Sequence, residues 1–63
     1  MKRVTKNNML KYIDMKKEYE NTKNINLLKE INDFTNNVIN KDKHYYKKIS
    51  KYNFSNDQLK YCI

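Results

Sequence analysis

The chain has 63 residues, with 14 Lys and Arg against 7 Asp and Glu, a formal net charge of +7, and no Gly, Pro or Trp. A single cysteine and a single histidine exclude a disulfide framework and a His/Cys metal cluster, and without glycine there is no Gly-rich phosphate loop. A chain of this length forms one small domain, 1–63, that buries only about 60% of its unfolded surface, so a partner is expected to complete its fold.

Lys, Asn, Ile, Tyr, Phe and Met supply 41 of the 63 residues. All six have AT-rich codons, which points to a very AT-rich genome: a reduced intracellular parasite such as a microsporidian, an organelle-bearing protist, or a low-GC bacterium or its phage. No apolar run is long enough to cross a bilayer. A lone cysteine and no secretory pattern imply a reducing, intracellular, cytoplasmic setting.

Residues 1–5 form a basic arm that carries Lys2 and Arg3, with Lys6 at its junction to the first helix. Met9, Tyr12, Ile13 and Tyr19 then recur near one face of a helix over about 6–21. Asn21-Thr-Lys-Asn24 interrupts it with turn and cap formers, and Asn24 is the expected N-cap of a second helix over about 25–39. Leu27, Leu28, Ile31, Phe34, Val38 and Ile39 make this the most regular amphipathic segment of the chain. With neither Gly nor Pro, only Asn offers a cheap left-handed backbone position, so Asn-rich joints between helices are favoured over hairpins. Alternating strand patterns are absent, and the expected class is all-α.

Asp42 caps a third helix over about 43–52. The stretch Lys41–Tyr52 holds five lysines, three tyrosines and one acid. At about 100° per residue, its lysines and its Tyr45/Ile49/Tyr52 arc occupy separate sides of a helix. The tyrosines therefore belong with a core or a partner contact rather than a base-stacking platform, and Tyr46 sits at the edge of their arc, within reach of a partner. Lys43, Lys47 and Lys51 repeat every fourth residue with no acid between them, an arrangement that repels itself unless an anion is bound. Phe54-Ser-Asn-Asp-Gln-Leu59 closes the pattern. Ser55 and Gln58 make a capping box and Phe54 with Leu59 a hydrophobic staple, which start a last helix over about 56–62.

Charge is concentrated at the two ends, with a net of +5 over 1–17, −2 over 18–40 and +4 over 41–63. Such a distribution favours a polyanionic partner. The expected phosphate contacts are Lys2, Arg3, Lys6, Lys43, Lys47, Lys48 and Lys51. The expected shared core is Leu27, Leu28, Ile31, Phe34, Val38 and Ile49. Catalytic residues, cofactors and metals are not expected: His44 lies among lysines, and Cys62 belongs to an apolar tail. Leu28-Lys-Glu-Ile-Asn-Asp33 loosely resembles the Ser-Gln-Glu-Leu-Asp motif of the small aspartyl-phosphate phosphatases that act on sporulation regulators. Asn32 stands where that motif has its functional Asp and the Ser-Gln pair is missing, so the resemblance assigns no activity.

Lysines grip phosphates without reading sequence, and small basic helical chains suit folded RNA in a large particle. The expected partners are accordingly RNA, above all rRNA, and neighbouring ribosomal proteins. The alternatives are a helical protein-binding inhibitor or a DNA-binding regulator of phage, plasmid or low-GC bacterial origin. Membrane attachment is disfavoured, because the side opposite the lysines offers tyrosines and one Ile.

Overall fold

Helical periodicity without glycine or proline yields four α-helices and a short 3-10 turn in a computed structural model that describes residues 4–62. They are α1 (Lys6–Thr22), α2 (Ile25–Asn37), the 3-10 turn Ile39–Lys41, α3 (Tyr45–Lys51) and α4 (Asn56–Cys62), and no strand occurs among the described residues. The all-α class is as expected.

Side-chain caps set the helix starts. Thr5 accepts from the Asn8 N–H at 3.2 Å and opens α1, and Asn24 accepts from the Asn26 N–H at 3.0 Å and opens α2. Between them Lys23 ends α1 in the left-handed region, φ 54°, where its N–H reaches the Tyr19 carbonyl at 2.7 Å. A non-glycine residue is costly there. Asn53, φ 55°, turns the chain between α3 and α4, as expected of Asn.

The box at α4 is reciprocal: the Gln58 N–H donates to Ser55 Oγ at 3.3 Å, and the Ser55 N–H donates to Gln58 Oε1 at 3.0 Å. Phe54 is buried and Leu59 packs against the same core. Replacing Ser55 by Ala is expected to cost about 1 kcal/mol in a denaturant melt. A loss of only a few tenths would mean that Phe54 and Leu59 hold α4 without the cap.

α1 is the central helix and packs against both α2 and α4. Met9, Tyr12 and Ile13 fill its inner face. Val4, Ile31, Ile39, Tyr45, Ile49, Phe54 and Cys62 complete one buried cluster. Tyr12 stacks on Phe34 across the α1–α2 seam with centroids 5.8 Å apart. Thr35 donates to the Ile31 carbonyl at 2.8 Å, and its hydroxyl lies 3.2 Å from that of Tyr12. Exposed pairs between Lys17 and Asp57 (2.9 Å) and between Tyr61 and Glu20 (2.5 Å) join α1 to α4 and add little to stability.

The core departs from expectation in two places. Ile31 and Ile49 are buried and Phe34 and Val38 pack partly against them, but Leu27 is only half-buried and Leu28 is exposed. α2 meets a single long neighbour, α1, so only a narrow seam centred on Ile31 is covered. Leu28 lies about 60° from Ile31 around the helix, and Ile25, 78% exposed, lies farther still. The second difference is at the end of α2, which stops at Asn37 rather than 39. Had the α-helix continued, Ile39 would sit about 80° from Ile31, on the uncovered side. The break at Val38, φ −121° and ψ −61°, begins the 3-10 turn and rotates Ile39 into the core.

Candidate nucleic-acid interface

Asp42 is the only acid in the Lys41–Tyr52 stretch, and it is turned inward. Its side chain is 4% exposed. One oxygen accepts from the His44 N–H at 2.8 Å and so turns the chain into α3. The other accepts from the Val4 N–H at 2.7 Å and from the Lys48 ammonium. Lys48 also donates to the Val4 carbonyl at 2.7 Å. These groups form a closed polar clamp that holds Val4, just ahead of α1, to the start of α3. The Lys48 ammonium first, and then the Val4 and His44 N–H groups, hold the Asp42 carboxyl well below the usual carboxylate range.

The clamp revises part of the basic arm. Val4 falls within the expected basic arm; it is 1% exposed and belongs to the core. Lys2 and Arg3 lie outside the described residues. Lys6 is exposed and begins α1 two residues after the clamp. The third helix also begins later than expected, at Tyr45 rather than 43, because Asp42 closes an Asx turn before it. Lys43 therefore stands in that turn, while Lys47 and Lys51 occupy successive turns of α3.

The charged contacts divide the lysines. Among the described residues, Lys17, Lys48 and Lys60 meet a carboxylate within 4 Å, and Lys41, Lys43, Lys47 and Lys51 do not. Those four are exposed. Lys51 rests its ammonium 5.8 Å from the Tyr52 ring, and Lys48 is committed to the clamp. The five lysines and one acid of the stretch thus resolve into one internal pair and a surface of four cations. Sequence reasoning singled out Lys43, Lys47 and Lys51 but passed over Lys41, which belongs to the same run and is also exposed, in the 3-10 turn.

The opposite side of α3 is apolar. Tyr45 and Ile49 are buried and Tyr52 packs against the core, as the separation of the two arcs implied. Tyr45 donates its hydroxyl to the Cys62 carbonyl at 2.7 Å, which satisfies an end-of-helix acceptor of α4. Burial pushes both the Tyr45 hydroxyl and the Cys62 thiol up from their ordinary values. Tyr46, by contrast, is 74% exposed.

Elsewhere, α1 and α2 border a shallow groove of about 400 Å³ whose lining includes Lys11, Met15, Glu30, Asp33 and Phe34. Among the described residues, no group of three or more His, Cys, Asp or Glu side chains is placed to hold a metal, and no helix is long and apolar enough to cross a membrane. No protein family, curated protein or solved structure matches the chain.

Proposed function

We propose that this protein is a small structural RNA-binding protein, a ribosomal or ribosome-associated component that grips rRNA phosphates through Lys41, Lys43, Lys47 and Lys51. The observation that carries the reading is the fate of Asp42. By turning inward onto Lys48, it removes the one negative charge that would otherwise neutralise this face. Unpaired lysines on successive turns repel one another, and phosphates relieve that repulsion. Lysine-rich contact without base-reading side chains suits a partner recognised by its backbone. The small core, and the Ile25–Leu28 edge left uncovered on α2, suit a chain whose neighbours in an assembly cover what it cannot bury alone.

The same edge supports the rival reading, a module that docks α2 on a protein target. Sedimentation of the native protein through a sucrose gradient of its own cell lysate, at low and at moderate salt, separates the two. Co-migration with ribosomal particles at both salts is the expected result. Migration at the top of the gradient at both salts overturns the ribosomal assignment in favour of the protein-binding or DNA-binding alternative.

A further inference from the structure

Five of the six tyrosines are used by the fold. Tyr12 and Tyr45 are buried, and Tyr19, Tyr52 and Tyr61 pack against the core. All of these but Tyr45 also carry a lysine ammonium near the ring, at 4.2 Å for Tyr12, 5.5 Å for Tyr19, 5.8 Å for Tyr52 and 5.2 Å for Tyr61. Tyr46 differs on both counts. It is exposed, and among the described residues no ammonium sits over its ring. Its aromatic contact is an edge-to-face one with Tyr45, centroids 5.6 Å apart and planes at 71°. Tyr45 is itself anchored by burial and by its bond to the Cys62 carbonyl. The Tyr46 ring is therefore steadied from within and open from without.

Its place on α3 matters as much as its exposure. Ser50 is four residues after Tyr46, the spacing of neighbours on a helix surface, while Lys43 stands in the turn just before α3, three residues ahead of Tyr46, and Lys47 is the next residue along the helix. All three are exposed. An exposed ring at the edge of the Tyr45/Ile49/Tyr52 arc thus stands on the part of the chain that carries the unpaired cations Lys43 and Lys47.

We infer that Tyr46 is a stacking site for an unpaired base, with Lys43 and Lys47 holding the flanking phosphates, so that the RNA segment bound by this face is single-stranded. The inference rests on the RNA-binding reading and narrows it. In a duplex the faces of each base are covered by the neighbouring pairs, and a protruding ring meets only backbone. In a loop, bulge or free strand a base face is available, and any base can offer it. A tyrosine orders few torsions when it stacks, and this one is already steadied by Tyr45, so little conformational freedom remains to be lost.

The test is fluorescence anisotropy with two labelled RNAs of equal length, an unstructured mixed A/U strand and a blunt duplex, titrated with the full chain and with its Tyr46→Ala and Tyr46→Phe variants. The wild-type protein is expected to prefer the single strand. Tyr46→Ala should weaken single-strand binding roughly 5- to 100-fold while leaving duplex binding nearly unchanged. Tyr46→Phe should keep the wild-type preference, since stacking needs the ring and not the hydroxyl. An exposed ring contributes little to the fold, and an unchanged melting midpoint for both variants confirms that only binding was altered. Equal affinity for the two RNAs, or single-strand binding indifferent to Tyr46→Ala, overturns the stacking site and leaves the RNA-binding reading standing. Binding of neither RNA above that of a protein in which Lys43, Lys47 and Lys51 are all Gln overturns both.

Discussion

Asp42→Ala is expected to lower the thermal unfolding midpoint by roughly 10 °C or more, the largest effect of any single polar substitution among the described residues. The carboxylate is the hub of the clamp, accepting from Lys48 and from the Val4 and His44 N–H groups. Its removal leaves two backbone donors without their acceptor and a lysine, only 16% exposed in its side chain, without its counter-charge. A buried donor or charge stripped of its partner costs far more than the intact pair contributes. In a chain of this size such a loss is a large share of the total stability.

The same group gives a pH signature. Its folded pKa is depressed, so its contribution is fully present above the unfolded value of about 3.9 and is lost as pH falls through the folded one. The wild-type midpoint should therefore hold steady from neutral pH to about 5 and decline below it. Asp57 and Glu20 are lowered in the same direction by Lys17 and by Tyr61 and act in the same window. The difference between wild type and Asp42→Asn isolates the clamp. The variant should be less stable at neutral pH and flatter in acid, with the two curves converging as Asp42 protonates. Parallel curves would place the acid sensitivity in other carboxylates.

Replacing Lys43, Lys47 and Lys51 together by Gln should weaken binding to single-stranded RNA about 100-fold near 0.1 M salt. Each phosphate contact contributes roughly 0.7 to the slope of log affinity against log salt on a single strand, so three lost contacts lower that slope by about 2. The fold should survive, since all three side chains are exposed. Its midpoint should rise slightly, because like charges one turn apart no longer repel. Lys29→Gln, an exposed position on α2, provides the control and should leave both slope and midpoint near wild type. An unchanged affinity and slope in the triple variant would remove this face as the interface. A large affinity loss with an unchanged slope would mean that something other than phosphate contact had been damaged.

The local structure of the chain was legible in its sequence. Four helices could be placed from apolar spacing and from Asn24, Ser55 and Gln58, because a cap and its N–H lie two or three residues apart and their interaction needs nothing from the rest of the fold. The separation of Tyr45, Ile49 and Tyr52 from the lysines of α3 follows from helix geometry alone. The net charge and the exclusion of Gly-dependent motifs follow from composition.

Tertiary structure decided what each face meets. Periodicity gives the width of an apolar stripe but not how many neighbours cover it. Leu28 remains exposed because α2 packs on one long helix, and Ile39 is buried because the chain breaks at Val38 to turn it inward. Val4 reads as part of a polar arm until its backbone is bound by groups 38 and 44 residues away. Counting charges cannot tell a surface lysine from one paired inside. Only the meeting of Asp42, Lys48 and Val4 does that, because the worth of a charge depends on burial and on the atoms beside it, both set by contacts distant in sequence.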